Sequence, residues 1–175
     1  IDKSFAPDLK TARAIYVIAD YFGAKIFSSS ALRYATELNF SNVNSITTFG
    51  GGGNFDEYII HQTEMVVKTL KSEAYSVCVD KQDGEYICKV KCKGGKQAIM
   101  LYSEFLPFAV NLFCKDGSSS YRLIGSDYFK LLIVDILRFF ESGEPSFDKE
   151  ETLEVMKIRE AVIKGKNQPG KIITF

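Results

Sequence analysis

The chain lacks an excess of charge of either sign: Lys and Arg together number 22, as do Asp and Glu. That balance removes the electrostatic ground for a nucleic acid or an acidic membrane surface as partner. Long apolar runs are missing too. None reaches the ~18 residues that a spanning helix needs, and Ile1 opens no basic-then-apolar signal pattern. The expectation is a soluble cytoplasmic protein with neither a membrane nor a nucleic-acid partner. Cysteine is sparse, at four residues. Cys88 and Cys92 fall in an alternating, strand-like segment, where a four-residue offset spans roughly 13 Å and exceeds the ~7 Å that a disulfide tolerates. If Asp83-Gly84 is a two-residue hairpin turn, Cys78 stands opposite Lys89 and Cys88 opposite Val79, on opposite sheet faces. Buried, reduced thiols and no metal site are expected.

What is present fills one compact unit, since 175 residues at 46% hydrophobic support a single well-buried core. Pro7-Asp8 opens a helix carried by Leu9, Ala12, Ile15, Tyr16, Ala19 and Phe22 and stopped by Gly23. Ile1 to Ala6 reads as a strand end and Lys25 to Ser28 as a short strand, together the tail of a parallel α/β pattern. From Val43 the character changes. A strand to Phe49 runs through a glycine loop into a helix that ends near Leu70. Strand-like runs follow at Tyr75 to Asp80, Glu85 to Cys92, Lys96 to Ser103, Phe108 to Cys114 and Ser119 to Ile124, mostly separated by short glycine turns that demand antiparallel neighbours. Tyr128 to Glu141 is a strongly apolar helix, Asp148 and Glu151 form a capping box for a last helix to Lys164, and Ile172 to Phe175 is a final strand. The expected architecture is α+β, a large and mostly antiparallel sheet with helices on one face, preceded by the remnant of a Rossmann-type unit. A sheet covered on one face leaves the other for solvent or for a second copy, so self-association through that open face is expected.

The chemistry concentrates at Gly50-Gly51-Gly52-Gly53-Asn54 and the helix behind it, which holds the only histidine, His61. Glu57, His61 and Glu64 share one helical face, and an imidazole titrating near neutrality beside carboxylates suits acid/base work. The bland readings stand beside this one. Asn54 and Glu57 also make an N-cap and its capping-box partner, His61 suits a half-buried histidine bonded to a carbonyl, and Lys3 suits an ordinary surface cation. The glycine run could approach a phosphate or a nicotinamide, yet it lacks the Gly-Lys-Ser/Thr ending of a nucleotide P-loop.

Ile1-Asp2-Lys3-Ser4-Phe5-Ala6 resembles the Glu-Lys-Pro loop of the Gfo/Idh/MocA oxidoreductase family. Ala31-Leu32-Arg33-Tyr34 resembles the family's Arg-Phe/Tyr segment, and Gly51 through His61 its glycine loop and catalytic helix, patterned Asp-x-Gly-x-His-x-x-Asp. Phe139 to Pro145, Leu153 to Met156, Glu160-Ala161 and Gly170-Lys171 are similar to its C-terminal signature. Departures are Asp2 for Glu, Ser4 for Pro, Glu57 for the first Asp, Ile59 for Gly and Glu64 for the second acid. The branched Ile59 is expected to narrow a pocket that glycine leaves open, which points away from a common pyranose as substrate.

The resemblance implies the C-terminal catalytic part of an oxidoreductase that moves a hydride between a sugar, polyol or related hydroxyl compound and NAD or NADP. It assigns catalysis to Lys3 and His61, with Lys3 also beside the nicotinamide, and substrate binding to Arg33, Tyr34, Glu57 and Tyr58. The dinucleotide fingerprint Gly-x-Gly-x-x-Gly is absent. The division expected is therefore residues 1–30 as the tail of a dinucleotide-binding domain and 31–175 as a substrate and oligomerisation domain, a piece of something longer. The rival is a non-catalytic oligomerisation or ligand-sensing module of the same descent.

Overall fold

A computed structural model describes all 175 residues. Helix α1 (Leu9–Tyr21) starts at Asp8, whose carboxylate accepts the Thr11 N–H at 2.7 Å. Two short 3-10 turns, Ala31–Tyr34 and Thr36–Leu38, lead into β1 (Val43–Gly50) and α2 (Phe55–Leu70). The remaining elements are β2 (Ala74–Gln82), β3 (Glu85–Cys92), β4 (Gln97–Tyr102), β5 (Ala109–Cys114), β6 (Ser119–Leu123), α3 (Tyr128–Ser142), α4 (Lys149–Lys166) and β7 (Ile172–Thr174). The strands form one sheet in the order β6-β5-β1-β4-β3-β2-β7.

All neighbours in that sheet are antiparallel except β1 and β4, which run parallel from Ser45 opposite Gln97 to Gly50 opposite Tyr102. The run of strands expected as one meander is thus split by β1, which enters between β4 and β5. Turn chemistry in the sequence reports hairpins, and the β4-to-β5 link is not one. The β2–β3 hairpin keeps the expected register, with Cys78 opposite Lys89 and Val79 opposite Cys88. Burial pushes the Cys88 and Cys92 thiols up, Cys92 to about 11.

Alternation sets the layers. Val77, Val79, Cys88, Val90, Ala98, Met100, Val110 and Leu112 face inward against α2 and α4 in one cluster that also takes in Phe5, Ala12 and Tyr16 from the start of the chain. The other face is open. Leu123, Ala109, Phe49, Leu101 and Ile87 follow one another across five strands there, an apolar row along the sheet. Helix α3 packs through the Ala31–Tyr34 turn and leaves Phe129, Ile133, Leu137 and Phe140 exposed. No helix is long and apolar enough to cross a membrane.

Three local expectations change. Ile1 to Ala6 and Lys25 to Ser28 form no strand: they lie side by side, the Ile1 amine donating to the Phe27 carbonyl at 2.8 Å, but no ladder of backbone bonds continues that contact. Asp148 precedes α4 without a side-chain cap, and the Glu151 carboxylate that would complete the box pairs with Arg33. Asn54 does cap α2, accepting the Asp56 N–H at 2.9 Å, while Glu57 stays exposed without returning the bond.

Candidate active site

Helix α2 carries the site, and its sequence explains its course. Asp56 and Glu57 in the first turn and Lys68 in the last complement the helix dipole, and Lys71 ends it in the left-handed region at φ 45°. Ile59, Ile60, Met65, Val66 and Leu70 are buried in the core, which fixes the rotation of the helix. His61 is left at its margin, half-buried, with Tyr58 one turn before it.

The imidazole sits between two rings set edge-on, Tyr58 with centroids 5.6 Å apart and Phe108 at 5.5 Å. Lys3 lies against Tyr58: its Nζ is 5.2 Å from that ring centroid and donates to the Glu57 carbonyl at 3.3 Å. The glycines make this packing possible. A Cβ on Gly52, whose φ is 154°, would fall inside the Tyr58 ring; one on Gly50 would enter the Phe108 ring, and one on Gly51 would strike the Ser103 carbonyl. The loop is therefore a seat for the two rings that flank His61. At Gly50, Gly51 and Gly52 the close-approach space is filled by the protein's own atoms, while Gly53 is open.

Behind the ring lies a chain of polar groups. His61 Nδ1 is 2.5 Å from Ser30 Oγ, the Ser30 N–H donates to Glu64 at 3.1 Å, and Arg33 donates to the other Glu64 oxygen at 2.9 Å. Arg33 also pairs with Glu151 and stacks on Phe147, its guanidinium carbon 3.9 Å from the ring centroid. Burial pushes the Glu64 carboxyl up against the pull of Arg33. Burial, and less strongly the charge of Lys3, lowers the His61 pKa from its ordinary 6.5 to about 4, while Asp2 pulls the other way. The ring is neutral at physiological pH. Its Nε2 has no protein partner and is not sealed from solvent.

The expected site residues separate into two groups. Lys3, Tyr58 and His61 come together. Glu57 stands on the same helix at the surface, without a hydrogen bond to His61. Arg33 and Tyr34 leave the pocket: Arg33 is 4% exposed inside its ion pairs, and the Tyr34 hydroxyl donates to Asp135 at 2.6 Å. Both face a groove of about 530 Å³ shared with Lys68, Asp135 and Arg138, not with His61. Glu64 points inward, bonded to Arg33 and the Ser30 N–H, and makes no hydrogen bond to His61. Ile59 is fully buried in the core, which removes the expectation that it narrows a pocket.

No protein-family model matches the chain, and no curated protein matches it. Solved structures do. UDP-N-acetylglucosamine 3-dehydrogenase GnnA from Acidithiobacillus ferrooxidans superposes with a TM-score of 0.76 at 13% identity, over 94% of this chain and 69% of that one. GenD2 from gentamicin A biosynthesis, in complex with NAD, gives 0.80 at 10% identity, over 99% and 70%. A myo-inositol dehydrogenase from Corynebacterium glutamicum gives 0.73 at 9%, over 96% and 70%. The fold is that of the Gfo/Idh/MocA dehydrogenases.

Against the Gfo/Idh/MocA pattern, one departure gains a physical meaning. Ser4, in place of the motif's proline, has φ 60°, a value that a pyrrolidine ring locked near −65° does not reach. The lysine loop therefore follows a different backbone path at that point. Sequence reasoning missed Ser30 and Phe108. The serine run before Ala31 signals a cap for the 3-10 turn, and the Ser30 hydroxyl does accept the Leu32 N–H. Its bond to a histidine 31 positions away had no local signal.

Proposed function

We propose that the chain is the catalytic and substrate-binding part of an NAD(P)-dependent oxidoreductase acting on a sugar, polyol or related hydroxyl compound. The observation that carries this reading is the convergence of Lys3, Tyr58 and His61 at the glycine loop, in a fold shared with dehydrogenases. His61 exchanges the proton of the reacting oxygen through Nε2, and Lys3 polarises that oxygen and stands beside the nicotinamide. Glu57 and Tyr58 are left to bond substrate hydroxyls; Arg33 and Tyr34 serve the framework. The pyrophosphate of the dinucleotide finds no cradle in these residues, so only its reacting end falls to this chain. When bound, the nicotinamide supplies or takes up the hydride. On this reading residues 1–30 form the tail of a dinucleotide-binding domain, and the four unpaired thiols suit the reducing cytoplasm.

The test uses the full-length protein that contains this chain, screened with sugars and polyols and with both cofactors. His61→Ala and Lys3→Ala each lower turnover at least ~100-fold with the fold intact. Wild-type rates from either variant would overturn the assignment.

The apolar row Leu123, Ala109, Phe49, Leu101 and Ile87 supports self-association through the open sheet face. On the rival, non-catalytic reading this interface is the whole function. Turnover separates the cases: Leu123→Lys dissociates the oligomer in sedimentation on both readings, while turnover in the full-length protein exists on the first alone.

A further inference from the structure

Ser30 is 1% exposed, and its hydroxyl meets two groups only. It accepts the Leu32 N–H at 3.3 Å and lies 2.5 Å from His61 Nδ1. A serine hydroxyl carries one proton, and a buried hydroxyl that cannot donate it loses a hydrogen bond's worth of stability. Nδ1 is the one acceptor within its reach. The proton of Ser30 therefore points at Nδ1, which must hold a lone pair there, and the single proton of the neutral ring then resides on Nε2.

We propose that Ser30 is a positioning residue that holds His61 in its Nε2–H tautomer, so that the nitrogen without a protein partner offers a hydrogen-bond donor. Helix α2 builds both halves of the clamp. His61 supplies the ring that Ser30 Oγ holds, and Glu64, three residues on, holds the Ser30 N–H. The carboxylate is fixed in turn by Arg33, so serine and histidine keep their relative placement through a buried ion pair.

The consequence for chemistry rests on the dehydrogenase reading, whereas the tautomer does not. A donor at Nε2 is complementary to a carbonyl oxygen, so the resting site receives the keto or aldehyde form of a substrate directly. A hydroxyl substrate needs a lone pair at Nε2. That requires the Ser30 hydroxyl to rotate away and accept from Nδ1–H, leaving its own proton unpaired.

The only histidine of the chain gives a one-residue readout. Tag-free protein labelled with ¹⁵N-histidine, observed at neutral pH by long-range ¹H–¹⁵N correlation, reports which ring nitrogen carries the proton. The expected spectrum shows a protonated Nε2 and an unprotonated Nδ1. Ser30→Ala lowers the Nε2–H to Nδ1–H ratio roughly fivefold, the bias that one neutral hydrogen bond commands, and Ser30→Thr restores it. A dominant Nδ1–H form in the unaltered chain overturns the proposal, whatever happens to the folding of Ser30→Ala. An unchanged ratio in a folded Ser30→Ala does so as well. Neither result depends on turnover, so an inactive full-length protein refutes the dehydrogenase reading and leaves the tautomer standing.

Discussion

Thr48 donates a 2.6 Å hydrogen bond to Gln62, and that pair ties the site helix to the centre of the sheet one residue after His61. The Gln62 amide nitrogen spans the parallel joint, donating to the Gly50 carbonyl on β1 and the Leu101 carbonyl on β4, each at 3.0 Å. Both side chains are fully buried. Gln62→Leu leaves the Thr48 hydroxyl without an acceptor, and should cost about 2–4 kcal/mol. Adding Thr48→Val removes the stranded hydroxyl, so the double variant is more stable than Gln62→Leu alone. Urea denaturation midpoints at constant slope check both statements.

Two adjacent glycines should respond differently to alanine. At Gly52 the added methyl meets the Tyr58 ring in a backbone region that side chains rarely adopt, and a loss of about 1–3 kcal/mol follows. Gly53 has open space and an ordinary φ, so the change there stays within about 0.5 kcal/mol. Equal effects at the two positions would show that the loop is not a seat for Tyr58.

Arg33→Met leaves Glu64 buried without its counter-charge, at a cost of about 3–5 kcal/mol at neutral pH. The sign of the pH dependence is fixed by burial, which pushes Glu64 up. A folded-state pKa above the unfolded one means that the native variant takes up the proton more readily. Its deficit therefore shrinks as pH falls toward the carboxylate range. Denaturation of variant and parent at pH 7 and pH 5 measures the change, and an equal deficit at both would count against an unpaired buried carboxylate.

The fold was largely legible because its signals are local. Asp8, Gly23, Asp83-Gly84 and the alternation from Tyr75 to Ser103 each act within a few residues, and the hairpin register that set Cys78 opposite Lys89 follows from the turn alone. The insertion of β1 between β4 and β5 is a pairing across more than fifty positions and left no mark in the sequence. The site divides in the same way. His61, Lys3 and Tyr58 were readable from the helix face and the motif resemblance. Arg33 was read as a pocket residue because an arginine in a motif looks like a ligand-binding group; its two carboxylates, Glu64 and Glu151, lie on separate helices and left no local signal of that pairing.

His61 should titrate near pH 4, well below the neutral limb that an unperturbed histidine suggests. Since the folded pKa lies below the unfolded value of 6.5, the unfolded chain binds the extra proton between the two. The associated stability is complete above about pH 6.5 and is lost as pH falls through about 4. The ¹⁵N shifts of the single histidine give the midpoint, and comparison with His61→Asn isolates its share of the stability profile. On the oxidoreductase reading, the acidic limb of kcat/KM for the full-length protein moves with it. A midpoint at 6.5 or above would remove the burial argument.

The parallel joint also governs how the molecule is made. Ser45 of β1 pairs with Gln97 and Phe113, partners 52 and 68 positions further along the chain. A chain emerging from the ribosome thus presents its central strand, already attached to the site helix, with both edges bare until β4 has been synthesised and one edge bare until β5 follows. Val43, Ile46 and Phe49 make that waiting strand adhesive toward other nascent chains. Truncation before Cys114 should therefore yield aggregates rather than a smaller folded unit.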